Sequence, residues 1–107
     1  MISKDRVLGL IGLCTKAGKI TFGTQACLEA IERRKVKLLI VADDAADRTK
    51  QNFTYQCKNC NIPIRIFGNI EELSKAIGQN NKAVIGIREK NLSDQITKII
   101  DGGDVIG

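Results

Sequence analysis

Apolar residues recur along this chain in two rhythms, one of three to four residues and one of two. Over residues 4–15 they fall at Val7, Leu10, Ile11 and Cys14, the spacing of a helix face, with Ser3 placed to cap its start. Lys16-Ala17-Gly18-Lys19 ends that helix, and Gly18 suits the left-handed closing position. Lys19-Ile20-Thr21-Phe22 is short and β-rich and predicts a strand. Gly23-Thr24 opens a second helix, with Ala26, Cys27, Ala30 and Ile31 as its apolar face and Arg33, Arg34 and Lys35 at its end. Lys37-Leu38-Leu39-Ile40-Val41-Ala42 is an almost unbroken apolar run, the pattern of a strand covered on both faces.

Asp43, Asp44 and Asp47 surround the next helix start, where carboxylates suit both cap and dipole. This third helix runs to about Cys60, with Phe53 and Cys57 one turn apart on its apolar face. Ile62, Ile64 and Ile66 alternate with Pro63 and Arg65, and the proline puts this strand at an edge or at its own first residues. Asn69-Ile70-Glu71-Glu72 has the form of a capping box, followed by Leu73, Ala76 and Ile77. After the turn residues Gly78-Gln79-Asn80-Asn81, Ala83-Val84-Ile85-Gly86-Ile87 predicts a last strand. Leu92, Ile96, Ile99 and Ile100 mark a last helix, stopped by Gly102-Gly103. Five helices alternating with four strands predict an α/β domain with helices on both faces of its sheet. One domain is expected over residues 1–101, with 102–107 as a flexible tail.

Charge adds a direction to this outline. The 107 residues carry a formal net charge of +5. Residues 1–42 hold eight cations against three carboxylates, and the rest of the chain is balanced. An anion-binding surface is therefore sought in the first part of the chain. No apolar stretch is long enough for a membrane span and no signal peptide is evident, so a cytoplasmic protein with reduced cysteines is expected.

The chemistry of catalysis is thin. Histidine, the commonest general base and zinc ligand, is absent. There is no Walker loop, no dinucleotide fingerprint and no nucleophile elbow. Asp43, Asp44 and Asp47 suit Mg²⁺ in type, but a capped helix start explains them more simply. Cys57-Lys58-Asn59-Cys60 is a C-x-x-C pair at a helix end, the wrong pole for an activated thiol. A zinc site there would draw on Cys14 and Cys27, which lie on apolar helix faces, or on carboxylates. No cofactor, metal or enzymatic activity is expected.

Several segments together resemble the ribosomal protein L7Ae/L30e superfamily of kink-turn RNA-binding proteins, and its bacterial YlxQ-like members in particular. The likeness lies in Ala17-Gly18-Lys19, Gly23-Thr24, the run from Lys37 to Asp44, Arg48-Thr49-Lys50, Asn61-Ile62-Pro63-Ile64 and Leu73-Ser74-Lys75-Ala76-Ile77-Gly78. It implies a three-layer α-β-α sandwich around a four-stranded mixed sheet. It also implies binding, as a monomer, to structured RNA, either a kink-turn or a similar internal loop. Ribosomal RNA, with ribosomal or transcription and translation proteins nearby, would be the setting.

In that family the second helix enters the RNA with the pattern Gly-x-Asn-Glu-x-x-Lys. A helix start offers free N–H groups to phosphate, and a side-chain amide reads base edges. The resemblance assigns this role to Gly23, Thr24 and Gln25, with Ala26 at the Glu position and Glu29 at the Lys position. Lys19 is the matching cation, and the second contact loop corresponds to residues 78–83, with Asn81, Lys82 and Ala83 at its end. Lys16, Lys19 and Lys82 are expected along the RNA-facing edge. Arg33, Arg34, Lys35 and Lys37 lie roughly 15 Å away at the other end of the second helix. There they either complement the helix dipole or form a second RNA-facing patch. The alternative function is a protein-interaction module that keeps the fold without tight kink-turn recognition; a small enzyme ranks last.

Overall fold

The computed structural model describes residues 4–102. In chain order the elements are α1 Lys4–Lys16, β1 Ile20–Phe22, α2 Thr24–Glu32, β2 Leu38–Val41, α3 Asp47–Asn59, β3 Ile64–Ile66, α4 Ile70–Ala76, β4 Val84–Ile87 and α5 Lys90–Ile100. All nine expected elements form in the expected order. Ser3, the expected cap of α1, and residues 103–107, most of the expected tail, lie outside the described residues.

The strands lie in the order β1-β4-β2-β3. β4 is antiparallel to both its neighbours, whereas β2 and β3 run parallel, with Leu39 opposite Ile64 and Val41 opposite Ile66. β1, β2 and β3 therefore all point the same way. α2 packs on β1 and β4 and against α3, which covers β3. α1 packs against α4 and α5 on the opposite face. The result is the three-layer sandwich with a mixed sheet.

β2 is apolar throughout because helices cover it on both sides, and all four of its residues are buried. Phe53, Ile11, Ile31, Leu73 and Ile96 close the layers above and below it, each essentially without exposure. Burial of side chains this size stabilises the fold by about 1.5–3 kcal/mol apiece. Pro63 enters β3 at the sheet edge, and its carbonyl still accepts from Leu39 N at 2.9 Å. Arg65 reaches from that edge to Asp101 with two hydrogen bonds of 2.8 and 2.9 Å, tying the end of α5 to the sheet.

Two expectations need correction. Ala26 does not belong to the apolar face of α2; it is exposed, while Cys27 and Ile31 are buried and Ala30 is half-buried. The acidic group does not cap α3 with a side chain. The N-cap of α3 is Ala46, without a side-chain bond, and Asp47 sits inside the first turn. Asp44 instead accepts from Ile70 N at 2.8 Å, capping α4 across the loop. α4 carries the expected capping box as well, with Asn69 accepting from Glu72 N and Glu72 accepting from Asn69 N.

Candidate nucleic-acid interface

The carboxyl ends of β1, β2 and β3 lie together at one edge of the sheet, with the starts of α2, α3 and α4 beside them. Gly23 makes the turn from β1 into α2 with φ 88 and ψ 156, a conformation open essentially to glycine. Its N–H donates to Val84 O at 3.0 Å, and its carbonyl accepts from Cys27 N to start the helix. The first N–H groups of any helix lack intrahelical partners. Elsewhere at this edge α4 is capped by Asn69 and Asp44, while α3 has no side-chain cap and carries only the charge of Asp47 in its first turn. α2 has no side-chain cap and no acidic residue in its first turn. Thr24, Gln25 and Ala26 are exposed there, so the edge presents bare N–H donors and the positive end of a helix dipole.

The loop before β4 lies against this start. Gly78 (φ 71) and Asn81 (φ 53) take left-handed conformations that fold it back. Ser74, buried in α4, pins it: Lys82 N donates to Ser74 Oγ at 2.7 Å, and Ser74 Oγ donates to Lys82 O at 3.3 Å. Ala83 O accepts from Ala42 N at 2.9 Å. The Lys82 ammonium lies 5.6 Å from the centre of the Phe22 ring, over the residue that precedes Gly23. A groove of about 630 Å³ runs beside the loop between Asp44, Glu71, Ser74 and residues 78–81.

The fold thus brings Gly23, Thr24, Gln25, Ala26, Asn81, Lys82 and Ala83 to one edge, with Glu29 about one turn further along α2. Gln25 donates to Glu29 Oε1 at 3.3 Å, so the two share a face as their spacing requires. Lys19 and Lys16 do not join them. Lys19 precedes β1 and Gly23 follows its end, a separation of about 13 Å at strand rise. Lys19 O accepts from Arg88 N at 2.8 Å, which fixes it beside the exit of β4. Ser74 and Phe22, the anchors of Lys82, went unread in the sequence; their signal was a serine inside an apolar helix face and an aromatic next to the glycine.

Among the thiols, Cys27 lies beneath this edge, its Sγ donating weakly to Val84 O at 3.8 Å. Cys14, Cys27 and Cys57 are buried and unpaired. Burial pushes the Cys14 thiol up to about 11, Cys27 up to about 12 and Cys57 up to about 11. They are protonated hydrophobes at neutral pH, not nucleophiles. Among the described residues no group of three or more metal-ligating side chains comes together. Because these folded thiols ionise above their unfolded values, the unfolded chain loses its thiol protons first on raising the pH. Their contribution to stability is complete below pH about 8.5 and declines above it by up to about 1.4 kcal/mol per pH unit for each thiol. Urea midpoints measured between pH 8 and 11 should fall accordingly, and fall less in Cys27→Ala.

Residues 5–97 match the model of the ribosomal protein L7Ae/L30e/S12e/Gadd45 family. The chain belongs to that family. Within it the chain is YlxQ-like: it is 27% identical over 100 residues to RNA-binding protein YlxQ of Enterococcus faecium, covering 94% of this chain and 96% of that one. It is 22% identical over 92 residues to RNA-binding protein YlxQ of Bacillus subtilis, covering 86% and 92%. A solved protein of unknown function from Bacillus halodurans superposes with a TM-score of 0.87 at 30% identity, covering 90% of this chain and 97% of that one. Among the described residues no helix is long and apolar enough to cross a membrane.

Proposed function

We propose that this chain is a non-catalytic RNA-binding protein that takes a kink-turn or similar internal loop at the α2 edge, in the service of the ribosome or translation. The observation that carries the reading is the bare start of α2, held beside Lys82 by a pinned loop, in a member of this family. RNA binding also fits the names of the YlxQ relatives. The absence of histidine and the inert thiols leave catalysis without the usual bases and nucleophiles. The working environment would be cytoplasmic, with RNA as principal partner.

One observation favours a second reading, a protein-interaction module on the same scaffold. Glu29 puts a negative charge on the RNA-facing side of α2 and engages the Gln25 amide. The two readings part on RNA preference. The wild type should prefer an RNA with a bulge and tandem G·A pairs over a plain duplex. Gln25→Ala should weaken that binding by about 1–3 kcal/mol if the amide reads a base edge. Equal affinity for both RNAs, untouched by the substitution, would leave only non-specific electrostatics and favour the protein-interaction module.

A further inference from the structure

The amino ends of β1, β2 and β3 meet at the pole of the sheet opposite the α2 start, and the fold gathers cations there from separate elements. α1 ends on Lys16 and β1 is entered through Lys19. α2 is followed by Arg33, Arg34 and Lys35, and Lys37 leads into β2. α3 ends with Lys58 in its last turn, and Arg88 follows β4. Backbone bonds lock these segments side by side: Arg88 N to Lys19 O, and Lys37 N to Ile87 O at 2.7 Å. Arg34 Nη1 reaches the end of α3, donating to Cys60 O at 2.9 Å. All but Arg88 are exposed.

Several features make this pole more than a set of helix ends. Arg33, Lys35 and Arg88 line one end of a shallow groove of about 170 Å³ that runs back along α2 past Ala30 and Glu29 to Ala26, with Thr21 beside it. Arg88 donates to Gly18 O, while its Nε, out of contact with solvent, has no partner among the described residues. Arg34 holds φ 56 at the end of α2, where glycine would be less strained. Among the described residues, Lys16, Lys19, Arg33, Lys35, Lys37 and Lys58 form no ion pair. Of the nearby carboxylates, Glu89 at the start of α5 is spent on Asn91 N and Leu92 N and Glu29 holds the Gln25 amide, while Glu32 at the end of α2 leaves the cations in excess. At the α2 edge, by contrast, Asp43, Asp44, Asp47 and Glu71 offset the cations.

We propose that this basic pole is a second RNA-binding surface, which holds the phosphate backbone of a helical RNA segment without reading its bases. The choice of RNA as the polyanion rests on the function proposed above. With the α2 edge engaged by an internal loop, the domain would clamp two RNA segments from opposite ends of its sheet. Spread cations without an ordered set of base-reading amides fit phosphate contacts, which position rather than specify.

The test uses the whole chain and two labelled RNAs, a plain duplex and a kink-turn hairpin, titrated at about 50 and about 200 mM salt. Arg33→Gln/Lys35→Gln/Lys37→Gln should bind the plain duplex at least about tenfold more weakly. Its log–log salt slope should be shallower by about two to three, close to one per lost phosphate contact. Lys16→Gln/Lys19→Gln/Lys58→Gln, drawn from different elements, should act in the same direction, which guards against misfolding of either variant. Melting temperatures near the wild type's would show that both fold. Duplex binding equal to wild type in both variants, or none by the wild type at the lower salt, overturns the second surface. A wild type that binds duplex through these cations yet shows no kink-turn preference overturns the reading of the α2 edge and leaves this surface standing.

Discussion

Gly23→Ala is expected to cost on the order of 1–3 kcal/mol of stability and to remove most of the preference for a kinked RNA. Gly23 holds φ 88 and ψ 156, outside the regions that L side chains occupy at ease. A Cβ there would meet nothing within 4 Å, so the penalty is conformational and repacking of neighbours cannot relieve it. The chain can relax only by rotating the peptide that starts α2. That rotation disturbs the bonds to Val84 O and from Cys27 N and re-aims the free N–H groups of the first turn. Gly9→Ala is the natural control. Gly9 is exposed in the middle of α1 with open space around it, so alanine should stabilise by roughly 0.5–1 kcal/mol. Urea midpoints and one kink-turn titration of each variant check both. Equal stability and binding in Gly23→Ala would mean that the α2 start is not built on this backbone.

Glu29→Lys should act in the opposite direction and tighten kink-turn binding by roughly tenfold, about 1.4 kcal/mol. Glu29 lies one turn inside α2, exposed, with its carboxylate on the Gln25 amide at 3.3 Å. Two unit charges at 4 Å interact by about 1 kcal/mol in water and about 4 kcal/mol at an effective dielectric of 20. Exchanging a carboxylate for a cation near phosphate therefore gains twice, from repulsion removed and attraction added. The substitution also frees Gln25 to face a ligand. The salt dependence should steepen by about one phosphate contact. Glu29→Gln separates the two contributions, since it removes the repulsion without supplying a cation. If wild type, Glu29→Lys and Glu29→Gln bind alike at two salt concentrations, Glu29 is remote from the RNA and the residue-by-residue placement of the interface is wrong.

The difference between what the chain announced and what it concealed is one of range. β2 was legible because every residue of Leu38–Val41 is apolar, and Asn69 with Glu72 announced the α4 cap because both partners lie within one turn. Asp44 could not be read as a cap of α4, because Ile70 N is 26 residues away. Ala26 misled because alanine is small enough to suit either face of a helix. Lys19 was placed with the RNA-facing edge through the family resemblance, as the cation matching those that precede the glycine. Strand direction decides otherwise, since a three-residue strand is enough to carry its two ends to opposite poles. The same topology brings Lys16, Lys19, Lys58 and Arg88 to the pole of the Arg33–Lys37 cluster, which the sequence alone left as either a dipole complement or a second RNA-facing patch. The Gly23-Thr24-Gln25 start was read through the family resemblance; that it is left bare while α4 and α5 are capped belongs to the structure.

In the proposed function RNA is held at the start of α2 and the loop beside it. Amide chemical-shift mapping of the ¹⁵N-labelled protein, titrated with a kink-turn RNA, tests it at the donors themselves. The largest shifts are expected at Thr24, Gln25 and Ala26 and at Asn81, Lys82 and Ala83, with smaller ones around the basic pole from stem contacts. Shifts confined to Arg33–Lys37 and Arg88, or scattered over the surface with the α2 start unmoved, would contradict it.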